Sequence, residues 1–172
     1  MANALGSGGG GGDASVAAGA AARARTACWL GVTSSTLLAV VVGVLVATVG
    51  RRRIPALIAV DRAVVDTAAG AMPAAACAIV GFAVLMPCLK VMEGAGRQCV
   101  GTALTFAGYY AVGFPLALAL AFYWDVGLAG IWIGNACALC SAGVASLLYL
   151  ARLDWRAEVE LCHYRLTQQG ID

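Results

Sequence analysis

Few residues in this chain have the chemistry to act on a bound molecule. Lys90 and Glu93 stand three apart, a spacing that sets both on one helix face and lets them neutralise each other. An ionisable pair inside a membrane helix is a candidate for binding or coupling to an ion. Both also fall near the end of an uncharged run, where long side chains reach out to water, so a structural reading stands beside the functional one. Tyr109, Tyr110 and Asn135 are neutral polar groups inside apolar runs. They suit hydrogen bonds between helices, or the wall of a polar cavity. Cys137 and Cys140 have the spacing of a redox or metal pair, but no second pair and no nearby His accompanies them. The seven cysteines are an odd number without secreted spacing and read as reduced, buried, small hydrophobes. His163, the one histidine, lies in a polar tail without a Ser or Cys partner and reads as an interfacial residue. The glycines at 8–12 lack the Lys-Ser/Thr of a phosphate loop. No catalytic, cofactor-binding or metal-ligating set emerges, so an enzyme is not expected, and no bound cofactor is implied.

The elements that would position these groups are set by charge, or by its absence. Residues 26–50, 67–89, 98–124 and 126–151 contain no charged side chain. Each run is at least as long as the roughly 20 residues a helix needs to cross a bilayer. The chain is 62% hydrophobic and 12% charged, against about 25% charged in soluble domains. The expected fold is therefore an all-α integral membrane protein with four transmembrane helices and the lipid bilayer as its solvent. A net charge of +2 without a polybasic segment argues against a nucleic-acid partner. Residues 1–22 are a Gly/Ala-rich low-complexity segment, expected to be a flexible lead-in, and lack the basic n-region of a signal peptide. The four-helix region is placed at 23–151, and 152–172 is read as a cytoplasmic tail with a helical extension at the interface.

Within the runs, packing signals dominate. Gly31, Ser35, Ala39, Gly43 and Ala47 recur every four residues, as do Gly130, Gly134, Ala138, Ala142 and Ser146. Stripes of small residues let helix backbones approach closely, and Gly130 with Gly134 forms a GxxxG. Residues 51–66 read as an amphipathic or looped connection. Pro73 and Pro87 predict a bent or broken second helix, and Pro115 a bend in the third. Phe122, Tyr123 and Trp124 suit the membrane interface, and Asp125 with Gly127 makes a short turn, so the last two helices form a hairpin. Arg23, Arg25, Lys90, Arg97, Arg152, Arg156 and Arg165 collect on one side; Arg51, Arg52, Arg53 and Arg62 collect on the other. The excess puts both termini in the cytoplasm.

A series of elements then carries a resemblance. They are Met72-Pro73; Gly94-Ala95-Gly96-Arg97-Gln98; Gly108-Tyr109-Tyr110-Ala111-Val112-Gly113-Phe114-Pro115-Leu116-Ala117-Leu118; Gly127-Leu128-Ala129-Gly130-Ile131-Trp132-Ile133-Gly134; and Asp154-Trp155. In this order and spacing the chain resembles the MATE family (multidrug and toxic compound extrusion) of membrane antiporters. Asn3-Ala4-Leu5-Gly6-Ser7-Gly8 is similar to the family's signature ahead of its ninth helix. The resemblance implies that the four runs correspond to helices nine to twelve, part of the C-terminal six-helix lobe of a twelve-helix transporter. It implies cation-coupled export of small organic, often cationic or xenobiotic, compounds, driven by a proton or sodium gradient, with two lobes rocking about a cavity. Pro73, Pro87 and Pro115 would supply helix bends for that motion. The chain departs from the family with Phe82 where many plant-like members have an acidic residue, and with Glu93 where they have Arg. No coupling residue carries over. The expectation is a truncated antiporter that does not transport alone, in a plasma or vacuole-like membrane. Two other classes stand beside it: a non-transporting four-helix scaffold or regulatory subunit with a helix partner on the Gly130/Gly134 face, and a small oligomeric transporter.

Overall fold

In hydrocarbon, backbone N–H and C=O groups must find partners within their own segment, and helices supply them. The computed structural model of the chain describes residues 10–155, 157, 158 and 161. The Asn3–Gly8 motif, Arg156, Cys162, His163 and Arg165 lie outside the described residues. Among the described residues the elements are α1 (Gly10–Thr48), α2 (Gly50–Ile58), α3 (Arg62–Gly94), α4 (Gln98–Ala107), a π-helical segment (Gly108–Gly113), α5 (Phe114–Leu118), a second π-helical segment (Ala119–Tyr123) and α6 (Leu128–Ala151). Four spans are long and apolar enough to cross a bilayer: Ala18–Thr48, Arg62–Gly94, Gln98–Tyr123 and Leu128–Ala151. They match the four uncharged runs.

Boundaries differ from expectation for local reasons. Helix α1 starts at Gly10, which corrects the flexible lead-in expected over residues 1–22 from that point on. Between 17 and 22 five alanines, the residue of highest helix propensity, outweigh Gly19, and the helix continues back over Gly10–Gly12. Helix α3 starts earlier than the run, at Arg62, because the Asp61 carboxylate accepts the Ala63 N–H at 2.9 Å and caps it. It then passes through Pro73 and Pro87 without interruption, so the broken-helix alternative is corrected. Residues 51–58 of the expected connection are helical, in α2, with Pro55 inside it. The third span is not uniform. Pro115 has no N–H, and its ring would press on the carbonyl one turn back. The wider π turn lies immediately ahead of it, with the Phe114 N–H bonded five residues back to Tyr109.

The chain divides into two units, residues 31–151 and residues 1–30 with 152–172. In the first, α3 lies against α6 around Ala78, Leu85, Ala136, Leu139 and Ala142, with Leu89 at the edge. Close approach depends on small residues. A Cβ on Gly81 would stand 3.0 Å from Leu139 Cβ and 3.1 Å from the Cys140 backbone nitrogen. The α1 stripe meets α3 as well: the Ser35 hydroxyl donates to the Ala83 carbonyl at 2.9 Å, and a Cβ on Gly43 would stand 3.2 Å from the Ala76 carbonyl oxygen. Hydrogen bonds between membrane helices are worth about 0.6 kcal/mol on average, up to about 1.7. Ser35→Ala is therefore expected to cost about 1 kcal/mol, read as a lower midpoint in SDS unfolding of the detergent-solubilised protein. Large apolar side chains such as Leu37, Leu38, Val41 and Leu148 are more than half exposed, as suits helices that cross a bilayer.

In the second unit, Ala18, Ala21, Ala22 and Arg25 line a recess of about 320 Å³ with Leu153, Asp154 and Trp155. There the Asp154 carboxylate accepts the Ala157 N–H at 3.4 Å.

Candidate functional site

The site is built on the hairpin of the third span and α6. Its turn uses two left-handed residues, Asp125 at φ 53° and Gly127 at φ 64°. Glycine occupies that region freely, and Asp is among the few other residues that tolerate it. The two helices then close on each other through small residues. A Cβ on Gly130 would lie 2.8 Å from the Leu120 carbonyl carbon, and one on Gly134 2.5 Å from Ala117 Cβ and 2.7 Å from Ala117 Cα. One on Gly108 would lie 2.9 Å from both the Ala138 carbonyl oxygen and Ala142 Cβ, and one on Gly113 would run into Ala138 Cβ. The packing role of Gly130 and Gly134 is thus met inside this chain. In this chain that face lies against Ala117 and Leu120 of the third span.

Beside this seam lies a groove of about 590 Å³. It is lined by the small residues Gly113, Ala117 and Ala138 of the seam. Its walls carry Phe106, Tyr109, Tyr110, Phe114, Ile131 and Asn135, with Thr102 and Thr105 toward the start of α4. Phe106, Tyr110 and Phe114 follow one another at four-residue intervals and form a ladder. The first two rings stack at 4.2 Å between centroids, inclined by 26°, and Tyr110 and Phe114 follow at 6.5 Å and 41°. Thr102 and Thr105 donate to their own helix, to Gln98 and Gly101 carbonyls at 3.0 and 2.9 Å. By contrast, the Tyr109 and Tyr110 hydroxyls and the Asn135 amide hold no hydrogen bond among the described residues. Three side chains with spare hydrogen-bonding capacity beside one aromatic groove make a surface that suits an organic molecule with its own hydrogen-bonding groups.

Three sequence candidates, Tyr109, Tyr110 and Asn135, therefore meet at one place. Lys90 and Glu93 do not join them. Their side chains pair at 2.8 Å at the end of α3, 72% and 51% exposed, and neither lines the groove. The described cysteines, Cys137 and Cys140 included, are free, and no group of three metal-ligating side chains forms among the described residues. Sequence reasoning missed Phe106, Phe114 and Ile131, although the four-residue aromatic spacing was there to find. It also missed a link from Arg97, whose Nη1 donates to the Tyr149 hydroxyl at 3.0 Å across 52 residues. Arg97→Gln is expected to loosen the end of α6, read as faster amide exchange around Tyr149.

The MatE family profile matches residues 14–119, more than half of the 172 residues. The chain belongs to the MatE family. This MatE chain is 27% identical over 142 residues to multidrug and toxin extrusion protein 2 of Mus musculus, covering 83% of itself and 25% of that protein. It is 28% identical over 141 residues to Protein DETOXIFICATION 55 of Arabidopsis thaliana, covering 81% of itself and 28% of that protein. Its fold is similar to the crystal structure of the eukaryotic MATE transporter AtDTX14, with a TM-score of 0.79 and 25% identity over 85% of this chain and 32% of that one. The MatE chain thus spans about a quarter to a third of the length of these proteins and has a portion of a MATE transporter fold. It is a multi-pass membrane protein, and its family is one of transporters rather than enzymes.

Proposed function

We propose that these residues form part of a MATE-like, cation-coupled antiporter that exports small organic, often cationic compounds, and that the groove beside α6 holds such a compound. The observation that carries this reading is one groove lined by the aromatic ladder of Phe106, Tyr110 and Phe114 together with Tyr109 and Asn135, whose polar groups, like the Tyr110 hydroxyl, hold no hydrogen bond among the described residues. Aromatic faces attract organic cations, and the polar groups orient them. The names of the relatives, which refer to multidrug and toxin extrusion and to detoxification, point the same way.

The four spans bind but do not transport by themselves in this reading, because a rocking cavity needs two lobes. Coupling to a proton or sodium gradient is assigned to no residue here. Pro73, Pro87 and Pro115 are read as the places where the spans bend, and both termini as cytoplasmic. Proteoliposomes containing the 172-residue protein test the reading. A fluorescent lipophilic cation is expected to bind saturably and not to accumulate when a proton or sodium gradient is imposed. Gradient-driven accumulation would refute the incapacity, and absence of saturable binding would refute the groove as the place where the compound is held.

A further inference from the structure

A second recess, of about 550 Å³, lies where α1 gives way to α2 and is lined by Arg51, Arg52, Arg53 and Asp66 together with Ala69 and Gly70. Three guanidinium groups face a single carboxylate there, leaving two positive charges uncompensated. Arg52 takes the carboxylate, with Nη2 at 2.9 Å from Asp66 Oδ1. Arg51 donates Nε to the Ala69 carbonyl at 3.0 Å, which fixes its fork while its Nη groups find no acceptor among the described residues. Arg53 has no partner among the described residues. Two open guanidinium groups beside a held one suit a tetrahedral oxyanion, which Arg binds through paired N–H donors.

What lies beside the recess identifies the source of that anion. At about 100° per residue, Ile54, Leu57 and Ile58 share one face of α2, with Arg51 and Arg53 at its two edges and Arg52 on the opposite side. Leu57 and Ile58 are 86% and 84% exposed, and Val60 after them is fully exposed. A short helix with a bare apolar face and arginines around it suits the plane of a membrane interface. Soluble phosphate would leave that face in water. A phospholipid covers it with acyl chains while its phosphate reaches the arginines. A zwitterionic headgroup carries its own cation into the recess, so a net negative lipid fits better.

We propose that α2 and the Arg51–Arg53 recess form a binding site for an anionic phospholipid, with the phosphate held by Arg51 and Arg53 and the chains lying on Ile54, Leu57 and Ile58. The test is native mass spectrometry of the full chain in detergent with added phosphatidylglycerol or phosphatidylcholine. Phosphatidylglycerol is expected to bind about tenfold more tightly. Replacing Arg51→Gln and Arg53→Gln together should bring the two lipids within about twofold, while Arg62→Gln, a basic residue outside the recess, keeps the preference. Leu57→Ser is expected to weaken both lipids alike. If the double Gln variant loses helicity, Arg51→Lys with Arg53→Lys replaces it. That variant keeps the charge, loses the fork, and should lose more than half of the preference. Equal binding of the two lipids, or a preference unchanged in the double variant, overturns the proposal. So does inorganic phosphate that displaces the lipid with an affinity indifferent to Leu57→Ser, since the occupant would then be a soluble anion.

Discussion

Gly134→Ala is expected to destabilise the hairpin by about 2–3 kcal/mol, whereas Gly31→Ala should be neutral or slightly stabilising. The two glycines look alike in sequence, each heading or continuing a stripe of small residues at four-residue steps. In the structure they differ completely. A Cβ on Gly134 would stand 2.5 Å from Ala117 Cβ and 2.7 Å from the Ala117 Cα and nitrogen. Backbone atoms cannot rotate aside as the end of a long side chain can, so the helices must move apart. Separation at Gly134 then opens the adjoining contacts, Gly130 on Leu120 and Gly113 on Ala138, and forfeits dispersion along the seam. Gly31 has nothing within 4 Å, so an added methyl meets open space and the helix gains the better propensity of alanine. Ala117→Gly in the Gly134→Ala background should restore less than half of the loss, because the Ala117 Cα and nitrogen remain in place. SDS titration of the detergent-solubilised protein, followed by helicity, reads all three. Equal midpoints for Gly134→Ala and Gly31→Ala would show that the seam does not govern stability.

The same comparison marks how far the sequence could be read. Four spans were legible because a charge is costly in hydrocarbon, so its absence over a run has one main cause. The α6 stripe was legible because its four-residue step matches the helical period. Its partner was not. Gly108 and Gly113 stand five apart, a spacing that no α-helical pattern places on one face, and they meet Ala138 and Ala142 through a π segment. Such a segment is a change of hydrogen-bond register and leaves no mark on hydropathy. Tyr109, Tyr110 and Asn135 stood out as polar groups among apolar neighbours, and they do share a groove. Phe106 and Phe114 did not, since their four-residue spacing with Tyr110 marks a shared helix face but not whether that face meets lipid or a ligand. The spacing of Lys90 and Glu93 foretold their pairing but not their distance from the groove. The contact of Arg97 with Tyr149 spans 52 residues and belongs to tertiary packing alone.

Tyr110→Ala is expected to weaken binding of a lipophilic organic cation by about tenfold or more. Tyr110 is the middle ring of the ladder, 4.2 Å from Phe106 and 6.5 Å from Phe114. Removing it takes away its own face and also the neighbour that holds the other two rings in place. A cation on an aromatic face gains about 0.5–2 kcal/mol, and an aromatic pair about 0.5–1.5 beyond burial. Loss of one such interaction and part of another amounts to about 1.4 kcal/mol or more, which is tenfold in affinity. The side chain is 60% exposed in the absence of ligand, so its removal opens no core cavity and leaves helix packing intact. Tyr110→Phe keeps the ring and should stay within about threefold, with any shortfall reporting the hydroxyl. Asn135→Leu removes the facing amide, and is expected to favour purely apolar probes over those with a hydrogen-bonding group. Phe82→Ala supplies the control: that ring is 50% exposed on α3 and does not line the groove. Fluorescence titration of the protein in nanodiscs separates these cases. A loss at Phe82→Ala equal to that at Tyr110→Ala would mean that the probe partitions onto any exposed aromatic surface. A loss confined to Tyr110 and Asn135 places the ligand in the groove that the third span and α6 share, which the aromatic ladder and the Asn135 amide both line.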